Sequence, residues 1–127
     1  MKVLLDTNLL IDDDLHHPGH EGFVSSLSLA ELHAGLATAP DPVALAKRQA
    51  RLARLTHVFG TGLPFDDAAA AAYGTVAQLV VASGRKPRAR AIDLMIAATA
   101  LAHGAGIITR NPADFAGLES VVKVIAA

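Results

Sequence analysis

Short apolar runs alternate along the chain with longer stretches whose apolar residues recur every three or four positions, the pattern of strands separated by helices. Lys2 to Leu5 is an apolar run ending on Asp6, which suits a buried strand that delivers a carboxylate at its C-terminal end. Thr7 to Ile11 predicts a short helix, and Asp12 to Gly19 a polar loop interrupted by Pro18. A second short strand is expected over Gly22 to Ser25, followed by a helix over Ser28 to Ala37 that the ATAPDP stretch closes. The next helix spans Pro42 to Val58, with Asp41 as N-cap and Pro42 at the first helical position. A brief strand is expected at Leu63, then an alanine-rich helix from Asp66 to Ala82 that stops at Gly84. Arg85 to Arg90 reads as a basic loop ahead of the helix AIDLMIAATALA, which runs on to His103. A strand over Ile107 to Thr109, a turn or short helix over Asn111 to Phe115 and a last strand over Val121 to Ile125 complete the order. Strands separated by helices predict an α/β fold with a mainly parallel sheet covered on both faces.

The most informative position in this pattern is Asp93, the one charged residue between Ala91 and Ala102. A carboxylate on so apolar a helix costs several kcal/mol unless a cation or a set of donors answers it. Arg90 lies three residues back, but Arg88 and Arg90 belong to a polar lead-in expected to point outward. An ion pair with an arginine is the structural alternative to a functional role.

Composition narrows the chemistry. At 127 residues the chain suits one domain able to bury a core without staples, and 52% hydrophobic with 4% aromatic residues makes that core aliphatic. A net charge of −1 gives no general pull toward polyanions, so such a partner must be met by a local patch or by metal. The absence of cysteine excludes disulfide and thiolate chemistry and fits a reducing compartment. Asp6 breaks the apolar start, so a strand is expected there and not a signal peptide. No uncharged apolar stretch is long enough to span a membrane, and a soluble, cytoplasmic protein is expected.

Three further acids join Asp93: Asp6 at a strand end, Glu31 within SLSLAELHAG, and Asp114 just after a strand in TRNPADF. In open α/β sheets ligands gather beyond the C-terminal ends of the strands, so Asp6 and Asp114 could share a crevice walled by the Glu31 and Asp93 helices. Four carboxylates meeting there would repel by about 4 kcal/mol per pair at 4 Å in an effective dielectric of about 20. Protonation or a divalent cation must relieve that, and hard oxygen ligands suit Mg²⁺ or Mn²⁺. Each acid also has a plainer use: Glu31 in a capping box Ser28-x-x-Glu31, unless Ser25 or Ser26 is the true cap, and Asp6 or Asp114 as helix or turn caps.

The blocks LLDTNLLI, SLAELHAG and RARAIDLMIAATALAHGAGIITRNPADF resemble PIN-domain ribonucleases, in particular VapC-type toxins of bacterial type II toxin–antitoxin modules. The resemblance spans nearly the whole chain and implies a PIN-like three-layer α/β/α sandwich around a parallel sheet. It implies that Asp6, Glu31, Asp93 and Asp114 bind Mg²⁺ or Mn²⁺ and cut RNA. By the same likeness Thr7 and Asn8 hold the first acid, while Thr109 and Asn111 orient the last acid and a bound water. It further implies homodimers and a cognate antitoxin that holds the toxin inactive, with the Ala68–Ala72 run and Leu29, Leu32 and Leu36 as apolar surface for partners.

Arg85, Lys86, Arg88 and Arg90, with Arg110 beyond the next strand, are candidates to hold an RNA backbone beside the acids. Lys47, Arg48, Arg51 and Arg54 read as a plain exposed helix face. His16, His17 and His20 near Asp12, Asp13 and Asp14 match no metal-ligand spacing. A phosphatase with a strand-end aspartate nucleophile would need a second Asp where Asn8 stands, and a phosphoacceptor domain a lysine nearer the site than Lys123. The main alternative to a metal-dependent endoribonuclease is a catalytically inactive PIN-like module that binds RNA or a partner.

Overall fold

The computed structural model describes all 127 residues. Four strands, β1 (Lys2–Leu5), β2 (Glu21–Phe23), β3 (Gly106–Thr109) and β4 (Val124–Ala126), form one sheet in the order β2-β1-β3-β4. Every pairing is parallel, with Val3 opposite both Gly22 and Gly106, and Ile108 opposite Ile125. β3 is buried along its whole length between two partners. Gly106 is required there, because a Cβ would lie 2.9 Å from the Lys123 carbonyl oxygen.

Five helices surround the sheet: α1 (Thr7–Ile11), α2 (Ser26–Ala37), α3 (Pro42–Phe59), α4 (Asp67–Ala82) and α5 (Ala91–Ala102). Side-chain alternation on the central strands divides the core in two. Leu4 and Ile107 pack with Val76 and Val80 of α4 and with Leu94 and Ile96 of α5. Val3, Leu5 and Ile108 pack on the other face against Leu9 and Leu10 of α1, Leu32 of α2, and Leu52 and Leu55 of α3. The result is the expected α/β/α sandwich, all-parallel in its sheet.

Differences from the pattern of the chain are local and have physical causes. Helix α2 starts two residues before Ser28, because the buried Ser25 hydroxyl accepts from the Leu27 amide and is the true N-cap. The capping box at Ser28 and Glu31 is therefore not formed, and Ser28 is buried inside the helix. β2 is displaced to Glu21–Phe23, and the strand expected at Leu63 is a single bridge to Ser25. β4 begins only at Val124: Val122 is buried in the turn before it, where its side chain joins the α4–α5 core. Pro87–Arg90 is a 3₁₀ turn leading straight into α5, and a second 3₁₀ turn at Pro112–Phe115 follows β3. The apolar surface expected from Leu29, Leu32 and Leu36 is corrected too: Leu32 is buried, and Leu29 and Leu36 pack against the α1–α3 core. Ala68, Ala70 and Ala71 are exposed. No helix is long and apolar enough to cross a membrane.

Phe115 is fully buried and anchors the second 3₁₀ turn, which carries Asp114, into the α4–α5 core. Phe115→Ala should lower the unfolding free energy by about 3–5 kcal/mol in urea denaturation, as for other large-to-small core changes. A loss below about 1 kcal/mol would contradict the packing described for this turn.

Candidate active site

In the order β2-β1-β3-β4 the chain leaves β1 toward one sheet edge and β3 toward the other, so a crevice opens between the C-terminal ends of β1 and β3. Asp6 stands at the end of β1, and its amide donates to the Ile108 carbonyl of β3 at 3.0 Å, continuing the ladder by one residue. Its carboxylate is buried and fully engaged. Oδ1 accepts the Thr7 amide at 2.8 Å, and Oδ2 accepts the Thr109 hydroxyl at 2.7 Å and lies 3.5 Å from Asn8 Nδ2. Asp6 thus caps α1 and faces the crevice at once; the two uses are not exclusive.

Thr109 ends β3, and its hydroxyl also accepts the Asn111 amide at 3.0 Å. Asn111 Nδ2 in turn donates to Asp114 Oδ2 at 3.0 Å. The other oxygen of Asp114 pairs with Arg90. One chain of contacts therefore runs from Asp6 through Thr109 and Asn111 to Asp114 and Arg90. Arg90 does not point outward as expected; it closes this chain.

On the other side, Thr7 Oγ1 lies 2.9 Å from Glu31 Oε1 and 2.8 Å from Ser28 Oγ. A carboxylate can only accept, so the Thr7 hydroxyl donates to Glu31 and receives the Ser28 hydroxyl. Thr7 ties Glu31 on α2 to the residue next to Asp6. The start of α2 at Ser26 sets Glu31 one turn deeper than a capping box would, with its exposed carboxylate on the crevice side of the helix.

Asp93 stands apart because no hydrogen bond steadies it. Burial on α5, followed by repulsion from Asp6, Asp114 and Glu31, together push its carboxyl up to about 6, with Arg90 pulling back more weakly. The arginine pair suggested as a structural alternative for Asp93 goes to Asp114 instead. Asp6 is also raised, chiefly by burial, against the stabilising Thr109 and Thr7 contacts and with repulsion from Asp114. Asp93 is within electrostatic reach of the other three acids, yet no three of the four close into a ligand cluster by themselves.

The donor set suits a hard divalent cation. All four acids offer oxygen, two are held at a raised pKa by burial and mutual repulsion, and Asn8, beside Asp6, buries an Oδ1 with no partner. A cation would supply the counter-charge that one arginine does not.

Of the other basic candidates, Arg85 donates to the Ala113 and Ala116 carbonyls and braces the turn that carries Asp114. Arg110 pairs with Asp12 and Asp14. Lys86 and Arg88 are exposed. The histidine-rich segment gathers no metal cluster: Asp12 and Asp14 serve Arg110, and Asp13 serves Arg54. Sequence reasoning missed the part played by Ser28, whose capping pattern pointed elsewhere. It also missed that Arg48 and Arg51 share a cavity with Glu31 and Thr7, for which no spacing signal exists, since α2 and α3 meet only in the fold.

The profile of the PIN domain family matches residues 3–119. The chain belongs to the PIN-domain family. Among solved structures it is similar to VapBC-5 from Mycobacterium tuberculosis, a member of the VapBC family of toxin–antitoxin systems, at 31% identity and a TM-score of 0.79, covering 98% of this chain and 96% of that one. FitAcB from Neisseria gonorrhoeae matches at 28% identity and a TM-score of 0.77 over 98% of this chain and 96% of that one. DNA-bound VapBC from Salmonella typhimurium, at 23% identity and a TM-score of 0.74 over 99% and 98% of the two chains, shares the fold. No curated protein matches. Within the family this PIN domain is VapC-like.

Because the folded-state pKa of Asp93 exceeds the value near 4 of an unfolded aspartate, the native state holds a proton that the unfolded chain has lost. The stability this proton confers is present below about pH 4 and disappears as pH rises through about 6. In metal-free buffer, Asp93→Asn should therefore stabilise the fold at pH 7.5 by roughly 1 kcal/mol after allowance for partial exposure, read as a higher melting temperature. The gain should vanish below pH 4, and equal melting temperatures of the two proteins at pH 7.5 would contradict the electrostatics described.

Proposed function

We propose that this PIN domain is a Mg²⁺- or Mn²⁺-dependent endoribonuclease and acts as the toxin of a type II toxin–antitoxin pair. The observation that carries the reading is Asp93, a carboxylate on an apolar helix with no hydrogen bond and three further acids pressing on it. An unpaired acid in such a place is a cost to folding, and it becomes useful when a cation is shared among Asp6, Glu31, Asp93 and Asp114. Held by these acids, Mg²⁺ or Mn²⁺ would supply an activated water and counter-charge for a phosphodiester.

The protein's own residues supply orientation. Thr109 and the Thr7 amide fix both oxygens of Asp6 at the end of β1. Thr7 holds Glu31, and Asn111 with Arg90 holds Asp114. Lys86 and Arg88 remain the RNA-backbone candidates of the basic stretch, whereas Arg85, Arg90 and Arg110 serve the fold and the acids. Membership of the PIN family and the likeness to a VapBC structure support the toxin reading, with a cognate antitoxin, a homodimer and the cytoplasm as its setting.

The purified chain should cleave RNA in Mn²⁺ or Mg²⁺ and lose cleavage in EDTA. Asp6→Ala and Asp93→Ala should each lower kcat by about a hundredfold or more, the scale of losing several kcal/mol of transition-state charge stabilisation. Titration calorimetry should find Mn²⁺ binding to the parent that Asp93→Ala weakens. A parent that binds no Mn²⁺ at millimolar metal would replace the enzyme with an inactive binding module.

A further inference from the structure

Four acids at the mouth of a site repel the very substrate a nuclease must admit, so a nuclease reading requires cations placed beside them. Most arginines of this chain are already committed. Arg90 answers Asp114, Arg110 answers Asp12 and Asp14, Arg54 answers Asp13, and Arg85 binds two carbonyls. Arg51 is different. It is half-buried on α3, forms no ion pair within the chain, and lines a cavity of about 390 Å³ between α2 and α3. The same cavity is lined by Thr7 and Glu31, which belong to the acidic crevice, and by Arg48, Gly35, Leu32 and Ile11.

Arg48 is held in place rather than neutralised. Its Nη1 donates to the Gly35 carbonyl at the C-terminal part of α2 and reaches the Thr38 hydroxyl, leaving its other N–H groups free. A guanidinium so anchored is pre-organised for a second acceptor. Arg48 and Arg51 are three residues apart on one helix, a spacing that puts both on the same side. Two guanidinium groups facing one cavity, beside a carboxylate neither of them pairs with, form a site for an anion.

We propose that Arg48 and Arg51 bind a backbone phosphate of the RNA, adjacent to the phosphodiester being cut, and so position the strand across Thr7 and Glu31. This rests on the nuclease reading and extends it to the course of the substrate: the strand runs from the crevice at the ends of β1 and β3 into the gap between α2 and α3. Both arginines are positioning residues. Their contacts are to phosphate, so they strengthen binding of any sequence about equally.

The test is binding of a fluorescently labelled single-stranded RNA of mixed sequence, followed by anisotropy in Ca²⁺ over a series of salt concentrations, with the RNA checked for cleavage on a gel. The parent chain should bind, and Arg51→Gln should weaken binding about tenfold, the scale of one charge-assisted hydrogen-bonded contact. The slope of log affinity against log salt should shrink by about 0.7 for the Arg48→Gln/Arg51→Gln pair, which removes the one phosphate contact, and by part of that for Arg51→Gln. Arg51→Lys should keep the parent slope, and Mn²⁺ affinity and melting temperature should not change in Arg51→Gln. Parent-like affinity and slope in the double variant would overturn the proposal and leave the cavity to a protein partner. A parent that neither binds nor cuts RNA would instead remove the nuclease reading itself, so the two failures are separable.

Discussion

The hydrogen bond from the Thr109 hydroxyl to Asp6 joins the ends of the two central strands, and the site depends on it. It is buried, it spans nearly the whole length of the chain, and it sits where the sheet's connections diverge. A buried carboxylate at that point would cost several kcal/mol if left unanswered. The Thr109 hydroxyl and the Thr7 amide answer it, and both draw its burial-raised pKa back down. From that fixed acid the remaining contacts extend outward, to Asn111, Asp114 and Arg90 on one side and to Thr7, Ser28 and Glu31 on the other.

Fold and site are built from opposite energetic choices. The two cores either side of the sheet are aliphatic and close-packed, and the buried hydroxyls all have partners: Ser25 the Leu27 amide, Ser28 the Thr7 hydroxyl, Thr99 the Met95 carbonyl and Thr109 the Asp6 carboxylate. Asp93 departs from this rule. It sits one residue from the buried Leu94, on a helix that lacks a side-chain cap, and its acidic neighbours raise its pKa more than Arg90 lowers it. Local conflict of this kind, in a chain otherwise consistent from pattern to packing, marks a place shaped for binding rather than for stability.

Arginine use shows how charge is rationed around such a site. Arg54 and Arg110 hold the acidic loop after α1, Arg85 braces the 3₁₀ turn below Asp114, and Arg90 offsets part of the acidic charge directly. A chain of net charge −1 cannot draw RNA by its overall field. On the proposed nuclease reading attraction must be local, which gives weight to the two arginines facing the cavity beside Glu31.

Much of this was legible in the chain alone. The alternation of apolar runs and helical periods determined the α/β class, because a strand buried on both faces must be apolar throughout and its helices amphipathic. The isolation of Asp93 among apolar residues, and Asp6 at a strand end, singled out two of the acids, since burial of charge is expensive wherever it occurs. Tertiary structure alone decided the strand order that opens the crevice between β1 and β3, and which serine caps α2. It alone decided that Arg90 answers Asp114 and leaves Asp93 unpaired. Those outcomes depend on contacts between residues far apart in the chain, such as Thr7 with Glu31 and Asp6 with Thr109. Local periodicity records which face of an element is apolar, but not which distant side chain will stand opposite it.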